Sequence, residues 1–303
     1  MHLAGDVPQQ FLSGRTTRDG RIVCLNQLLS PAAALGAAAT LGVADFTGGL
    51  AGRRTTPASV AIGVELTGVI ATPIAILLLP AMFDPAAALL AFAGGAVGGL
   101  GLIAFYRAMT LNLIGVVAPI TAVVAAALPT AVGVLGGDRL HAGQVAGIVA
   151  GLIAIALISG GGRVATKGAR AAVGLAIIAG VTFGLFFILF HASSSAGVTA
   201  FISGRLGSAA AALCFALLSG VSAVPRRSTW RLIALGGSLD GLGVVLYLYA
   251  TFHGLLSLSA LLTSFYPAFT VLCARLFTKE RMTSIQAAGA VLAVIAIGLI
   301  AAA

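Results

Sequence analysis

Gly94-Gly95-Ala96-Val97-Gly98-Gly99-Leu100-Gly101 returns 142 residues later as Gly236-Gly237-Ser238-Leu239-Asp240-Gly241-Leu242-Gly243. The match continues without a gap, laying Gly94 through Ile158 on Gly236 through Ile300. Ala108 falls on Ala250, Asp138-Arg139 on Glu280-Arg281, and Gln144 and Gly147 on Gln286 and Gly289. Self-similarity at a constant offset marks a duplicated unit. If each copy carries five membrane spans, the two copies enter the bilayer with opposite polarity. Inverted repeats of that kind are a transporter signature, because they supply two near-equivalent packings that can exchange.

Composition requires lipid as the solvent. Mean hydropathy is +1.11 and only 8% of residues are charged, against about a quarter in soluble globules. Residues 1–28 form a polar stretch with Pro8, Arg15, Arg18 and Arg21. They read as a disordered tail, or as an extension upstream of the true start, because no apolar core of a secretory signal is present. Cys24, Cys214 and Cys273 are widely spaced and suggest neither disulfides nor a metal site. No P-loop or Rossmann fingerprint occurs, so no cofactor is expected. The net charge of +9 sits in short loops between apolar stretches. Retention of basic loops on one face of a membrane explains it more simply than nucleic acid does.

Stretches of about 20 apolar residues lie at 30–51, 57–79, 86–107, 112–135, 142–160, 170–191, 197–219, 230–251, 255–277 and 284–302. The expected fold is therefore all-α: an integral membrane protein of ten helices, with five-helix repeats over 29–162 and 168–303. Loops 1–2, 5–6, 7–8 and 9–10 hold Arg53, Arg54, Arg163, Lys167, Arg170, Arg226, Arg227, Arg231, Lys279 and Arg281. The opposite loops hold only Arg139, beside Asp138. This bias places the odd loops in the cytoplasm and both termini outside, although the tail arginines pull the other way.

Glycines crowd spans 3 and 8, where small residues let helices approach closely or flex around a cavity. Pro73, Pro119, Pro129 and Pro267 remove backbone donors and bend spans 2, 4 and 9. Spans 5 and 10 lack ionisable residues and are expected at the periphery or in an oligomer contact.

Four ionisable residues fall deep inside spans: Asp45, Glu65, Arg205 and Asp240. Each costs at least ~2.5 kcal/mol at the bilayer centre and must face protein or water. Glu65 and Arg205 occupy equivalent depths in spans 2 and 7, so a pseudo-two-fold axis would bring them together. They are candidates for a midplane ion pair, structural or functional, or for holding a substrate's ammonium and carboxylate. Asp45 and Asp240 have no basic neighbour in sequence, which makes either a candidate proton or cation site. Tyr247 and Tyr266 are deep enough to line a cavity. Tyr106, Tyr249 and Trp230 suit aromatic belts, Arg107 and Arg275 can snorkel, and His191 and His253 lie at span ends.

Ala44-Asp45-Phe46-Thr47-Gly48-Gly49-Leu50 resembles the first-helix motif of EamA-type transporters in the drug/metabolite transporter superfamily. Phe105-Tyr106-Arg107-Ala108-Met109 and Val116-Val117-Ala118-Pro119-Ile120 resemble that family's passage from third to fourth helix. Asp240 with Tyr247, then Tyr266-Pro267-Ala268, resembles its eighth and ninth helices. Gly137-Asp138-Arg139-Leu140 and Lys279-Glu280-Arg281-Met282 stand where its Gly-Glu-Arg-Leu signature precedes each fifth helix. The family often has an arginine in the second helix of each repeat. Arg205 fits that place, whereas Glu65 stands where the first would be. The resemblance implies export or exchange of small metabolites or drugs through an aqueous central cavity.

The expected function is thus a multi-pass inner-membrane carrier of small organic solutes, working by alternating access with scope for proton coupling. Its expected partners are a small-molecule substrate and the lipid bilayer, not nucleic acid. An intramembrane enzyme is the rival of another class, but no Gly-x-Gly-Asp or Gly-x-Ser-Gly arrangement is present. A channel or structural membrane protein is the other rival, and saturable counterflow separates it from a carrier.

Overall fold

The computed structural model describes residues 19–80, 82–111, 114–135, 142–160, 168–193, 196–253, 262–263, 265–279 and 283–301. Among them no strand occurs. The helices are α1 (Asp19–Gly52), α2 (Pro57–Gly68), α3 (Thr72–Leu78), α4 (Pro85–Leu111), α5 (Ile114–Leu135) and α6 (Ala142–Gly160). They continue with α7 (Ala169–Ala192), α8 (Val198–Leu218), α9 (Trp230–His253), α10 (Tyr266–Cys273) and α11 (Ser284–Ala301). Six helical stretches are long and apolar enough to cross a membrane: Leu29–Gly52, Pro57–Leu78, Pro85–Leu111, Ala169–Phe190, Val198–Leu218 and Arg227–Ala250. Shorter apolar stretches lie in α5, α6 and α11. Several features expected from the sequence lie outside the described residues: the tail to residue 18, the signatures at 136–141 and 280–282, the loop at 161–167, and residues 254–261 of span 9.

Residues 19–28, within the stretch read as a polar tail, are helical as part of α1. Span 2 bends near Pro73, as its proline leads one to expect. It breaks at a 3-10 turn, Val69–Ala71, before α3 resumes with Pro73 in its first turn. Proline cannot donate into the preceding turn, so the helix tightens and restarts there. Thr72 Oγ1 is buried at this break without a hydrogen-bond partner among the described residues.

Local signals set the other starts. Thr56 caps α2 by accepting from the Ser59 N–H at 3.2 Å, with Pro57 next to it. Asp84 does the same for α4, accepting from Ala86 and Ala87 at 3.0 and 3.3 Å. Apolar side chains such as Leu77, Phe83 and Leu218 face outward, more than three-quarters exposed. In lipid that orientation is favourable, and the interior combines many alanines and glycines with a few large side chains such as Phe105, Tyr106 and Phe201.

α1 packs on α9, and α4 packs on both α7 and α8. α2 packs on α8 and α9, α5 on α7, α10 on α1, and α6 on α11. Glycines set the closest approaches. A Cβ at Gly95 or Gly99 of α4 would overlap the α8 backbone at Gly204 or Ser208. A Cβ at Gly237 or Gly241 of α9 would overlap the α2 backbone at Val64 or Gly68. These two crossings hold α2 and α8 against each other with α4 and α9 behind them.

Candidate functional site

The buried stripe of α8 runs through Phe201, Arg205, Ser208 and Ala212, spaced three or four residues apart and therefore on one face. Ile202, Leu206 and Leu213 occupy the outer face. Helical register alone thus turns Arg205 inward, where its side chain is only 5% exposed.

Two carboxylates from two other helices meet it. Arg205 Nη1 donates to Glu65 Oε2 of α2 at 2.9 Å, and Nη2 donates to Asp240 Oδ2 of α9 at 2.6 Å. Ser208 Oγ donates to the second Glu65 oxygen, Oε1, at 2.9 Å. The guanidinium also lies 5.3 Å from the Phe201 ring centroid, on the preceding turn of α8. Room for it comes from Gly68, where any Cβ would overlap the guanidinium. One cation therefore links three helices, with both arms of its fork used and one carboxylate oxygen held by a hydroxyl.

Asp45 on α1 is half-buried and makes no ion pair or hydrogen bond among the described residues. It is within electrostatic reach of Asp240, and Tyr106 and Tyr266 lie within reach of Asp45. Tyr266 starts α10 and packs against the main apolar core. Tyr247 stands apart from the charges, its ring 6.3 Å from that of Phe187 on α7.

The structure brings Glu65, Arg205 and Asp240 into direct contact, sets Asp45 within electrostatic reach of Asp240 and Tyr266 within reach of Asp45, and leaves Tyr247 outside. The reading of Asp240 as a carboxylate without a cation is corrected. Its partner lies 35 residues away on another helix, a pairing invisible in local sequence. Tyr106 does not belong to an aromatic belt. It is 1% exposed, and its ring and hydroxyl fill the space above Gly48 within reach of all four charged residues. Ser208 carries no strong signal in sequence, because a serine in an apolar helix is common. Its spacing of three from Arg205 was the available signal.

No group of three or more His, Cys, Asp or Glu side chains that could hold a metal occurs among the described residues. Residues 170–302 match the EamA-like transporter family. The matched stretch is similar to that family over the second half of the chain. That family belongs to the drug/metabolite transporter superfamily, and the match suggests a membrane transporter of that type. The chain also shares its fold with a protein of known crystal structure at 18% identity and a TM-score of 0.59. The likeness covers 90% of this chain and 97% of that one, and at this identity it carries the fold alone. No curated protein matches the chain.

Proposed function

We propose that this EamA-like protein is an inner-membrane carrier of small organic solutes, built from two inverted five-helix halves that rock about the Arg205 cluster. The observation that carries the reading is the Glu65–Arg205 bond, which joins α2 of one half to α8 of the other. Contacts between elements support it. Exchanging α1, α2, α4, α5 and α6 for α7, α8, α9, α10 and α11 converts the α1–α9 contact into α7–α4. The same exchange converts α4–α8 into α9–α2, and α5–α7 into α10–α1. The glycine crossings support it as well. Gly95 against Gly204 becomes Gly237 against Val64, and Gly99 against Ser208 becomes Gly241 against Gly68. Under that exchange Glu65 falls on Arg205.

Rocking of one half against the other leaves Arg205–Asp240 intact, since both residues belong to the second half, and strains Arg205–Glu65. A charged group on the substrate competes for whichever arm is released. Two carboxylates share one guanidinium, and Asp45 adds a third acid, so the gap has an excess of acidic groups. That excess favours a substrate amine or a travelling proton. With Asp240 held by Arg205, Asp45 is the carboxylate left for proton exchange.

The test is counterflow in proteoliposomes across a panel of amino acids, organic cations and drugs, with and without an imposed pH gradient. A carrier gives saturable uptake accelerated by internal substrate, and Glu65→Gln abolishes it. Uptake linear in concentration and unaffected by internal substrate means a pore. Normal counterflow in Glu65→Gln removes the Glu65–Arg205 bond from the mechanism. Gradient dependence that is lost in Asp45→Asn and kept in Asp240→Asn assigns the proton to Asp45, and the reverse assigns it to Asp240.

A further inference from the structure

Arg53, Arg54, Arg107 and Arg226 border one cleft of about 920 Å³ that none of Glu65, Arg205 and Asp240 lines, walled by the α1–α2 loop, the last turns of α4 and the α8–α9 loop. Among the described residues no acidic side chain lines it. All four arginines are exposed to it or to solvent.

The cleft is built rather than incidental. Thr56 Oγ1 donates to the Ser222 carbonyl at 2.7 Å, and the Arg226 backbone N–H donates to Thr55 Oγ1 at 3.3 Å. These bonds tie the two loops together, so arginines more than 100 residues apart are held around one space. Arg53 Nε donates to the Met109 carbonyl at 3.4 Å, joining α4 to the α1–α2 loop. Retention of basic loops on one membrane face accounts for arginines in loops one at a time. It does not require them to converge, nor to be joined by Arg107 from within α4. A cleft lined by one sign of charge concentrates counter-ions.

Its flank is apolar and faces outward. Phe215, Val221 and Val224 line the cleft, and Val224 is 71% exposed. Leu217 and Leu218, beside Phe215 at the end of α8, are also exposed. Trp230, half-exposed at the start of α9, marks the depth at which such rings meet headgroups. Cations at headgroup depth beside an exposed apolar helix end match the two parts of a lipid.

We propose that this cleft binds the phosphate of an anionic phospholipid in the adjoining leaflet, with the acyl chains lying along the end of α8. Guanidinium forks suit phosphate oxygens, and basic pockets between membrane helices suit phosphorylated headgroups. The proposal is independent of how the Arg205 cluster works.

The purified chain in neutral detergent is titrated with phosphatidylglycerol, phosphatidylcholine or inorganic phosphate at matched ionic strength. Binding is read by native mass spectrometry and by the shift in thermal unfolding. Phosphatidylglycerol is expected to bind saturably and raise the midpoint, while phosphatidylcholine and free phosphate do not. Arg54→Gln with Arg226→Gln weakens this binding about tenfold or more. Arg227→Gln with Arg231→Gln, which removes the same charge from neighbouring positions outside the cleft, leaves it unchanged. Equal loss in the two pairs, equal responses to the two lipids, or a response to inorganic phosphate alone overturns the proposal.

Discussion

Glu65 and Arg205 stand 140 residues apart in the chain and 2.9 Å apart in space. Their carrier helices, α2 and α8, are pressed together by glycines on α9 and α4. Asp240 occupies the second arm of the same guanidinium at 2.6 Å. Every charge in this cluster therefore depends on a partner from another helix.

Removal of Arg205 leaves two carboxylates buried without a cation. Arg205→Gln is expected to lower stability by about 3–5 kcal/mol and to abolish uptake. Arg205→Lys keeps the charge but cannot span both acids with a planar fork, so it falls between the two. Thermal unfolding in detergent, alongside proteoliposome uptake, checks the order. Wild-type stability in Arg205→Gln would mean that the cluster contributes nothing to the fold.

Reversing the pair tests the geometry separately from the charge. Glu65→Arg with Arg205→Glu places an acid against Asp240, so this double variant is expected to be poorly stable. Adding Asp240→Asn removes the repulsion and raises the unfolding midpoint. A triple variant no more stable than the double would contradict the shared-fork arrangement.

Ser208 orients Glu65 through its second oxygen. Loss of a hydrogen bond to a charged group costs about 1.5–3 kcal/mol, and Ser208→Ala is expected to lose about that much. Ser208→Thr, which keeps the hydroxyl, recovers part of it. Equilibrium unfolding of the three proteins gives the comparison.

Glycine positions divide by what surrounds them. Gly95→Ala and Gly237→Ala each drive a methyl into the backbone of a facing helix and are expected to cost about 1–3 kcal/mol or more. Gly174→Ala meets nothing within 4 Å and is expected to be neutral or slightly stabilising, since alanine is the better helix former. Folded yield by size-exclusion chromatography ranks the three, and equal yields would remove the close-approach argument.

Pro73 separates α2 from α3 just beyond Glu65. Pro73→Ala restores a donor and is expected to straighten the span. Folding should be retained and turnover reduced, because the break lies beside the link that rocking strains. Unchanged turnover would make the break a packing feature only.

Much of this was legible in the text of the chain. Lipid penalises charge and rewards long apolar runs, so helices, loops and the four rare ionisable residues stand out one window at a time. Duplication stands out for the same reason, since a constant offset needs no structure to detect. Partnership was another matter. Asp240 looked solitary and Tyr106 looked interfacial, because neither Arg205 nor Gly48 is a neighbour in sequence. Which acid meets which cation depends on how four helices cross. Those crossings are set by backbone contacts at glycines and by a proline break, interactions between distant segments that no local pattern encodes.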